Sequence, residues 1–309
     1  MEVTKNGEML AKVALDTVSS VQVHGNINLS GGLIRELLWR DIPIVWCTGT
    51  GRLVGWAVSS FGPNGKTRTA QHVASAEGRL DFAREFISAK IANQATQLRR
   101  SGNVEKSIIE QLRALQKSCL SAQLWQDVLG IEGRAAAIYF ENWQSLIKPA
   151  KRSEWKWHGR VSRPTTDEIN AMLNYTYALL LSDVIKALTS CGLDPHAGFL
   201  HSSNRNKPAL ALDLMEEFRA PIADSVVQTV INNGEVSPQG FSFAMESVRM
   251  NTQTRKALIS AYERRMLTEI KHPIFEYRAT WRRIIEIQAR QVLGVLDGSQ
   301  KVYKGVRVR

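Results

Sequence analysis

The period of the apolar pattern changes near residue 65, and that change most limits what this chain can fold into. Before it, apolar residues come in short β-branched runs: Val18 to Val23, Ile42 to Cys47 and Leu53 to Val58. The last two flank Thr48-Gly49-Thr50-Gly51, which predicts a hairpin. A phosphate loop is the poorer reading of those glycines, because no Lys-Ser/Thr follows and a strand comes next. Gly31 to Arg40 has helical spacing behind Ser30, a capping residue. Turn formers then gather at Ser59-Ser60-Phe61-Gly62-Pro63-Asn64-Gly65, which places a domain boundary between 1–65 and 66–309.

Beyond the boundary, apolar residues recur every three or four positions over 71–98, 104–129, 133–147, 167–191, 208–232, 252–271 and 277–296. Gly130 and Gly192 read as helix stops and Thr166-Asp167 as a start. Lys148 to Pro164 is a polar, Trp-bearing connection. The predicted fold class is α+β: a small N-terminal β domain followed by a larger all-helical domain.

The formal charge is +11, and residues 251–309 hold 13 Lys and Arg against 5 Asp and Glu, or +8 of it. A basic C-terminal region on a near-neutral N-terminal one suits a polyanion docking surface, with a merely solvated basic face as the alternative. Arg278, Arg282 and Arg283 share a late helix, Lys301, Lys304, Arg307 and Arg309 form a tail, and Tyr277, Trp281 and Tyr303 interleave them. Such clusters neutralise phosphates. Cys47, Cys119 and Cys191 are too far apart for a zinc site and read as small buried hydrophobes. No apolar run approaches membrane length and the N-terminus lacks a signal pattern, so a cytoplasmic protein is expected.

Against this basic background, carboxylates gather after a histidine: Gly198-Phe199-Leu200-His201, then Leu212-Asp213-Leu214-Met215-Glu216-Glu217-Phe218. On a wheel of the 208–232 helix, Leu214, Phe218, Ile222 and Val226 form one stripe. Asp213, Glu216, Glu217 and Asp224 fall opposite, which is how acids facing water would look. The other reading is a metal site, because His plus carboxylates suits Mg²⁺ or Mn²⁺ better than structural zinc. Glu132, between Gly130 and Gly133, is a further isolated acid; the small residues around it permit close approach by a helix or by DNA. His24, His72, His158 and His272 read as ordinary satisfied histidines, and His196 as at most an assistant to His201.

Gly192-Leu193-Asp194-Pro195-His196-Ala197-Gly198-Phe199-Leu200-His201, followed by Ala211-Leu212-Asp213-Leu214-Met215-Glu216-Glu217-Phe218-Arg219, resembles the signature of the CRISPR-associated spacer integrases. So do Glu132 with Tyr139-Phe140, Asn170 to Leu180, and Val23 to Ser30 with Ile42 to Trp46, so the likeness runs along essentially the whole chain. It implies a β-sandwich-like N-terminal domain, dimerisation through the β domains, and a helical catalytic domain. It also implies attack by a DNA 3′-hydroxyl on a phosphodiester. By that resemblance Glu132, His201 and Glu216 would hold Mg²⁺ or Mn²⁺, with Asp213 a nearby second acid; spacing leaves open whether Asp213 or Glu216 is the third ligand. Arg134, Arg163, Arg219, Arg278, Arg282 and Arg283 would contact DNA. The implied partners are double-stranded DNA (prespacer and repeat), a second copy of the chain, and the family's small ferredoxin-like adaptation subunit. The chain begins about a strand late for the family, as an alternative start or separation from a fused polypeptide would leave it. A non-catalytic DNA-binding scaffold and a purely hydrolytic nuclease are the competing expectations.

Overall fold

The computed structural model describes residues 1–309 apart from 50, 61–64, 163, 202–206, 245–246 and 309. Thr50, Phe61, Gly62, Pro63, Asn64, Arg163 and Arg309, named above, lie outside the described residues. The chain forms two compact units, Met1–Asn64 and Gly65–Arg309.

In the first unit β1 (Glu2–Lys5) and β2 (Glu8–Lys12) form a hairpin around Asn6-Gly7, with φ of 52° and 86°. A type I′ turn requires positive φ at both central residues, and Asn-Gly adopts it with least strain. Both strands are exposed throughout, so no alternating burial pattern marks them in the sequence. β3 (Val21–His24) runs parallel to β4 (Ile44–Cys47), with α1 (Gly31–Trp39) as the crossover. β5 (Leu53–Ala57) returns antiparallel to β4, Ala57 opposite Ile44. The expected hairpin and the expected Ser30 cap are both present, Ser30 Oγ accepting from the Leu33 amide at 3.2 Å. Val23, Leu37, Ile42 and Ile44 are the unit's core. The β domain is thus a two-stranded hairpin and a three-stranded mixed sheet.

The second unit contains α2 (Gly65–Glu77), α3 (Leu80–Ser101), α4 (Lys106–Ser121), α5 (Trp125–Glu141) and the short α6 (Pro149–Arg152). It continues with α7 (Glu168–Ser190), α8 (Ala209–Met215), α9 (Ser225–Asn232), α10 (Thr252–Leu267) and α11 (Trp281–Leu296). It is helical but not all-helical. Two antiparallel hairpins, β6 (Phe241–Ala244) with β7 (Ser247–Met250) and β8 (Glu269–Lys271) with β9 (Arg278–Thr280), are too short to interrupt a helical period read over longer windows. Gly78, at φ 83°, separates α2 from α3 within the predicted 71–98 helix. Gly130 is no helix stop; it lies inside α5. Among the described residues no helix is long and apolar enough to cross a membrane.

α3 and α7 are buried on nearly all faces, the mark of central helices. Asp167 caps α7 by accepting from the Asn170 amide at 2.7 Å, and Gly192, at φ 74°, follows its end. The three cysteines are free and buried, as expected.

The largest departure is the predicted 208–232 helix. It is α8, a tight 3-10 turn at Glu216–Phe218, a wide π-helical turn at Arg219–Asp224, then α9. Pro221 has no amide hydrogen and its ring conflicts with the carbonyl four residues back, so a regular helix is unavailable there. The rotation of 100° per residue is lost, and Asp213, Glu216, Glu217 and Asp224 are all buried. The acids do not face water.

Nor is the basic C-terminal segment a free tail. Gly305 lies so close to α3 that an added Cβ would stand 2.6 Å from Ala89 Cβ, so only glycine fits. Asn93 of α3 donates to the carbonyls of Glu217 and Val306 and accepts from the Val308 amide, all within 2.8 Å. The buried Glu217 carboxyl accepts from the Val306 amide at 2.7 Å, from Gln288 at 3.1 Å and from the Tyr303 hydroxyl. Burial pushes its pKa up to about 8, against the pull of those donors.

A carboxyl whose folded-state pKa is raised keeps its proton at pH values where the unfolded chain has lost it. The stability it adds is complete below its ordinary value and is lost as pH rises through about 8. Asp224, raised to about 6 by burial, acts in the same direction at lower pH. Wild-type Tm is therefore expected to fall as pH rises from about 4.5 to about 8 and to level off above that, and Glu217→Gln to remove much of that fall. Parallel Tm–pH curves for the two proteins in calorimetry would refute the assignment.

Candidate metal centre

Four elements of the helical unit converge on one point. α3 supplies Lys90, from the middle of a run in which Phe86, Ile87, Ala89 and Ile91 are also buried. α5 supplies Glu132, which shares the helix face of the buried Val128, Ala135 and Tyr139. The 3-10 and π turns supply Glu216 and Arg219, and the loop before α8 supplies His201.

Lys90 Nζ stands 2.5 Å from Glu132 Oε1 and 2.8 Å from Glu216 Oε2. Arg219 reaches Glu216 Oε1 at 3.0 Å, and its guanidinium lies 4.7 Å from the centre of the Tyr177 ring. Burial would raise the Glu216 pKa, but the charges of Arg219, Lys90 and His201 prevail and bring it down to about 2. Burial likewise opposes the Lys90 ammonium, and the two carboxylates still hold its pKa above the ordinary value. Lys90 and Glu216 form the closed floor of the site, whereas the side chains of Glu132 and His201 are 30% and 35% exposed at its rim.

Asp213 organises the histidine. Its Oδ2 accepts from the amides of Phe199 and Leu200 at 2.6 and 2.9 Å. Its Oδ1 accepts from the His201 amide at 2.8 Å and faces His201 Nδ1 at 2.7 Å. A carboxylate offers about four lone-pair positions, and here all four are taken. Asp213 has no lone pair to spare, whereas Glu216 is met by the Lys90 and Arg219 charges. The Nδ1 contact directs His201 Nε2 towards Glu216 Oε1, 3.9 Å away. Burial works against the imidazolium, but the Asp213 hydrogen bond and the Glu216 charge raise the His201 pKa above its ordinary value. Gly198 lets this loop lie on α8: an added Cβ would sit 2.6 Å from Ala209 C and Leu210 N.

Asp224 ties the frame together, accepting from Tyr139 of α5 at 2.8 Å and Tyr177 of α7 at 2.6 Å. The helix carrying Glu132 is thereby fixed to the turn carrying Glu216.

As the side chains stand, no three His, Cys, Asp or Glu among the described residues enclose a common point. The Lys90 ammonium sits between the two carboxylates instead. The residues nonetheless fit a divalent cation. Two carboxylates and an imidazole are hard oxygen and nitrogen donors. Glu216 Oε2 is also buried without a hydrogen bond, held by charge alone. Glu132, His201 and Glu216 could hold the ion once Lys90 withdraws.

The other expected contacts divide. Arg219 is beside Glu216, as described. Arg282 is committed internally, to Asp183 at 3.3 Å and Glu263 at 3.0 Å, so it braces helices rather than waiting for phosphate. Arg278 and Arg283 are exposed, each with one acid, Glu269 and Glu286 respectively. Arg134 is exposed on α5, two residues beyond Glu132. None of Arg134, Arg278, Arg282 and Arg283 bonds to Glu132, His201 or Glu216 among the described residues. Among the described residues nothing beyond their own helix backbone approaches within 4 Å of a Cβ built on Gly130 or Gly133, so no described helix packs into the space they leave. Sequence reasoning missed Lys90. The signal was a lysine inside the run Phe86-Ile87-Ser88-Ala89-Lys90-Ile91-Ala92, where helical spacing puts its neighbours in the core.

Two carboxylates and an imidazole gathered at one point of a helical unit are a donor set that a divalent cation can use. The chain belongs to the Cas1 family: the family described as "CRISPR associated protein Cas1" matches residues 1–264. A Cas4/endonuclease Cas1 fusion from Rhodospirillum rubrum is 38% identical over 304 residues, covering 94% of this chain and 52% of that protein. The chain thus spans about half the length of that fusion relative. A CRISPR-associated endonuclease Cas1 from Thermus thermophilus is 34% identical over 294 residues, covering 95% of this chain and 90% of that one. A Cas6-RT-Cas1–Cas2 complex superposes with a TM-score of 0.84 at 21% identity, over 100% of this chain and 34% of that one, a likeness of fold.

Removing one partner of a buried ion pair leaves an uncompensated charge and typically costs about 3–5 kcal/mol. Lys90→Met is expected to lose stability on that order in metal-free denaturant titrations. The added cost of Glu216→Gln on that background should be smaller than its cost in wild type. Additive losses would show that the pair is not coupled.

Proposed function

We propose that this chain is a metal-dependent DNA endonuclease and integrase of CRISPR adaptation. It joins the 3′-hydroxyl ends of short duplex DNA to the repeat of a CRISPR array. One observation carries the reading: Glu132, His201 and Glu216, from separate elements, converge where a cationic group already sits, in a member of the Cas1 family. Relatives in that family bear the name endonuclease.

Bound Mg²⁺ or Mn²⁺ would polarise the scissile phosphodiester and stabilise the departing oxygen. The chain's own residues do the rest. Asp213 keeps the His201 proton on Nδ1, which leaves the Nε2 lone pair for the ion. Lys90, withdrawn from the carboxylates, and Arg219 put positive charge where negative charge builds on the phosphate. The incoming 3′-oxygen bonds to phosphorus as the bond to the leaving 3′-oxygen breaks. The attacking hydroxyl gives up its proton to water and the leaving oxygen takes one, so no water is consumed and no protein-bound intermediate forms.

The exposed Arg134, Arg278 and Arg283 supply phosphate contacts on double-stranded DNA. Leu10, Trp39 and Val54, exposed on the β unit, favour a homodimer built there. The Cas4 fusion and the Cas1–Cas2 complex favour partnership with other CRISPR-associated proteins, the small ferredoxin-like subunit among them. A scaffold without catalysis is disfavoured, because its acids would be solvated and these are buried.

Glu132→Ala, His201→Ala and Glu216→Ala should each abolish joining of a short duplex to repeat DNA in Mg²⁺ or Mn²⁺. Asp213→Asn should slow it by about 10–100-fold, as loss of an orienting carboxylate does. The products are read on a gel. Full activity in His201→Ala would sink the ligand assignment, and cut ends without joined product would identify a hydrolytic nuclease.

A further inference from the structure

A second cavity of ≈ 350 Å³ opens in the helical unit, away from the carboxylates. Gln97 and Arg100 of α3 line one side, and Pro221 and Ser225, at the π turn, another. Lys90 is seven residues from Gln97, which places it about 10 Å away along the same helix.

Arg100, Arg265, Lys271 and Arg307 line this cavity against one carboxylate, Glu276. Lys271 is paired with Glu276 at 3.5 Å, and Arg307 with Glu85 at 2.7 Å. Arg100 and Arg265 have no carboxylate within ion-pairing distance among the described residues. Arg265 is partly buried, its guanidinium pKa is lowered by that burial, and its hydrogen bond goes to the Ser225 hydroxyl. A buried charge without a counter-charge is costly, and proteins keep one where something else supplies it.

Three of the lining residues also hold unused donors. His272 is fully buried and its Nδ1 accepts from the amides of Ile274 and Phe275, both at 3.2 Å. The ring proton therefore sits on Nε2, which has no acceptor. This corrects the reading of His272 as a satisfied histidine. Trp281 Nε1 and Arg307 Nε are likewise buried without acceptors. Pro221, Ile270, Pro273, Trp281 and Val308 give the lining an apolar part. Unmatched cations, spare N–H donors and apolar lining residues that include Trp281 suit a ligand with an anionic group on a ring-bearing body.

We infer that this cavity is an anion site for the phosphate of a nucleotide unit, with the Arg265 guanidinium as its principal contact. A DNA strand is the source that the proposed function supplies, and the inference rests on that reading only for the source. A free phosphate compound shares the same chemistry.

The test uses the full chain in metal-free buffer, so it is independent of catalysis. Inorganic phosphate should raise the wild-type Tm, and the rise should vanish in Arg265→Met and return in part in Arg265→Lys. A short fluorescent single strand should bind Arg265→Met at least about fivefold more weakly, and the slope of log K against log salt should lessen by about 0.7, one contact's worth. Glu216→Gln, which disables the metal centre, should change neither result, so failure of the metal reading leaves this one standing. A phosphate-dependent rise lost in Arg265→Met, with strand binding unchanged, would keep the site and assign it to a free phosphate compound. An equal rise in wild type and Arg265→Met would overturn the site.

Discussion

The helical unit depends on how it compensates acids buried in its centre. Four carboxylates, those of Asp213, Glu216, Glu217 and Asp224, lie within one twelve-residue stretch and are almost wholly shut from water. Left alone, each would give up its charge or unfold its surroundings. Each is met differently. Asp213 takes four hydrogen bonds from the His201 loop, Glu216 takes two cations, Asp224 takes two tyrosine hydroxyls, and Glu217 is raised enough to hold its proton near neutral pH. Only Glu216 is neutralised by charges rather than saturated by donors. Charges can be exchanged for another cation, and that sets Glu216 apart from the donor-saturated acids beside it.

The same compensation knits the unit together. Lys90 joins α3 to α5 and to the turn after α8, and Asp224 joins that turn to α5 and α7. Glu217 holds the C-terminal segment against α3 and α11. The acids therefore do for tertiary structure what a continuous apolar stripe does in simpler bundles. Pro221 makes this geometry available, because a regular helix through 208–232 would have pointed these groups outward.

Positive charge divides along similar lines. Arg282 and Arg307 belong to internal ion pairs, whereas Arg134 stands free of them at the surface. Net charge per segment did not distinguish these roles, since an arginine bracing two helices counts the same as one open to phosphate.

Much was readable from residue order. The change of period near residue 65, the Ser30 and Asp167 caps, the stop at Gly192 and the hairpin around Gly49 and Gly51 are set by local backbone preferences, so short stretches carried them. The family likeness, carried by the ordered motif around His201 and Glu216, was equally a matter of sequence. What local pattern could not supply was the direction a side chain takes once a helix departs from regular rotation. Wheel geometry sent Asp213, Glu216, Glu217 and Asp224 to water, and the tight and wide turns beside Pro221 brought them inside. Spacing left Asp213 and Glu216 equivalent. The tertiary structure separated them, because three backbone amides and an imidazole fill one carboxylate while Lys90, from a helix more than a hundred residues earlier, leaves the other exchangeable.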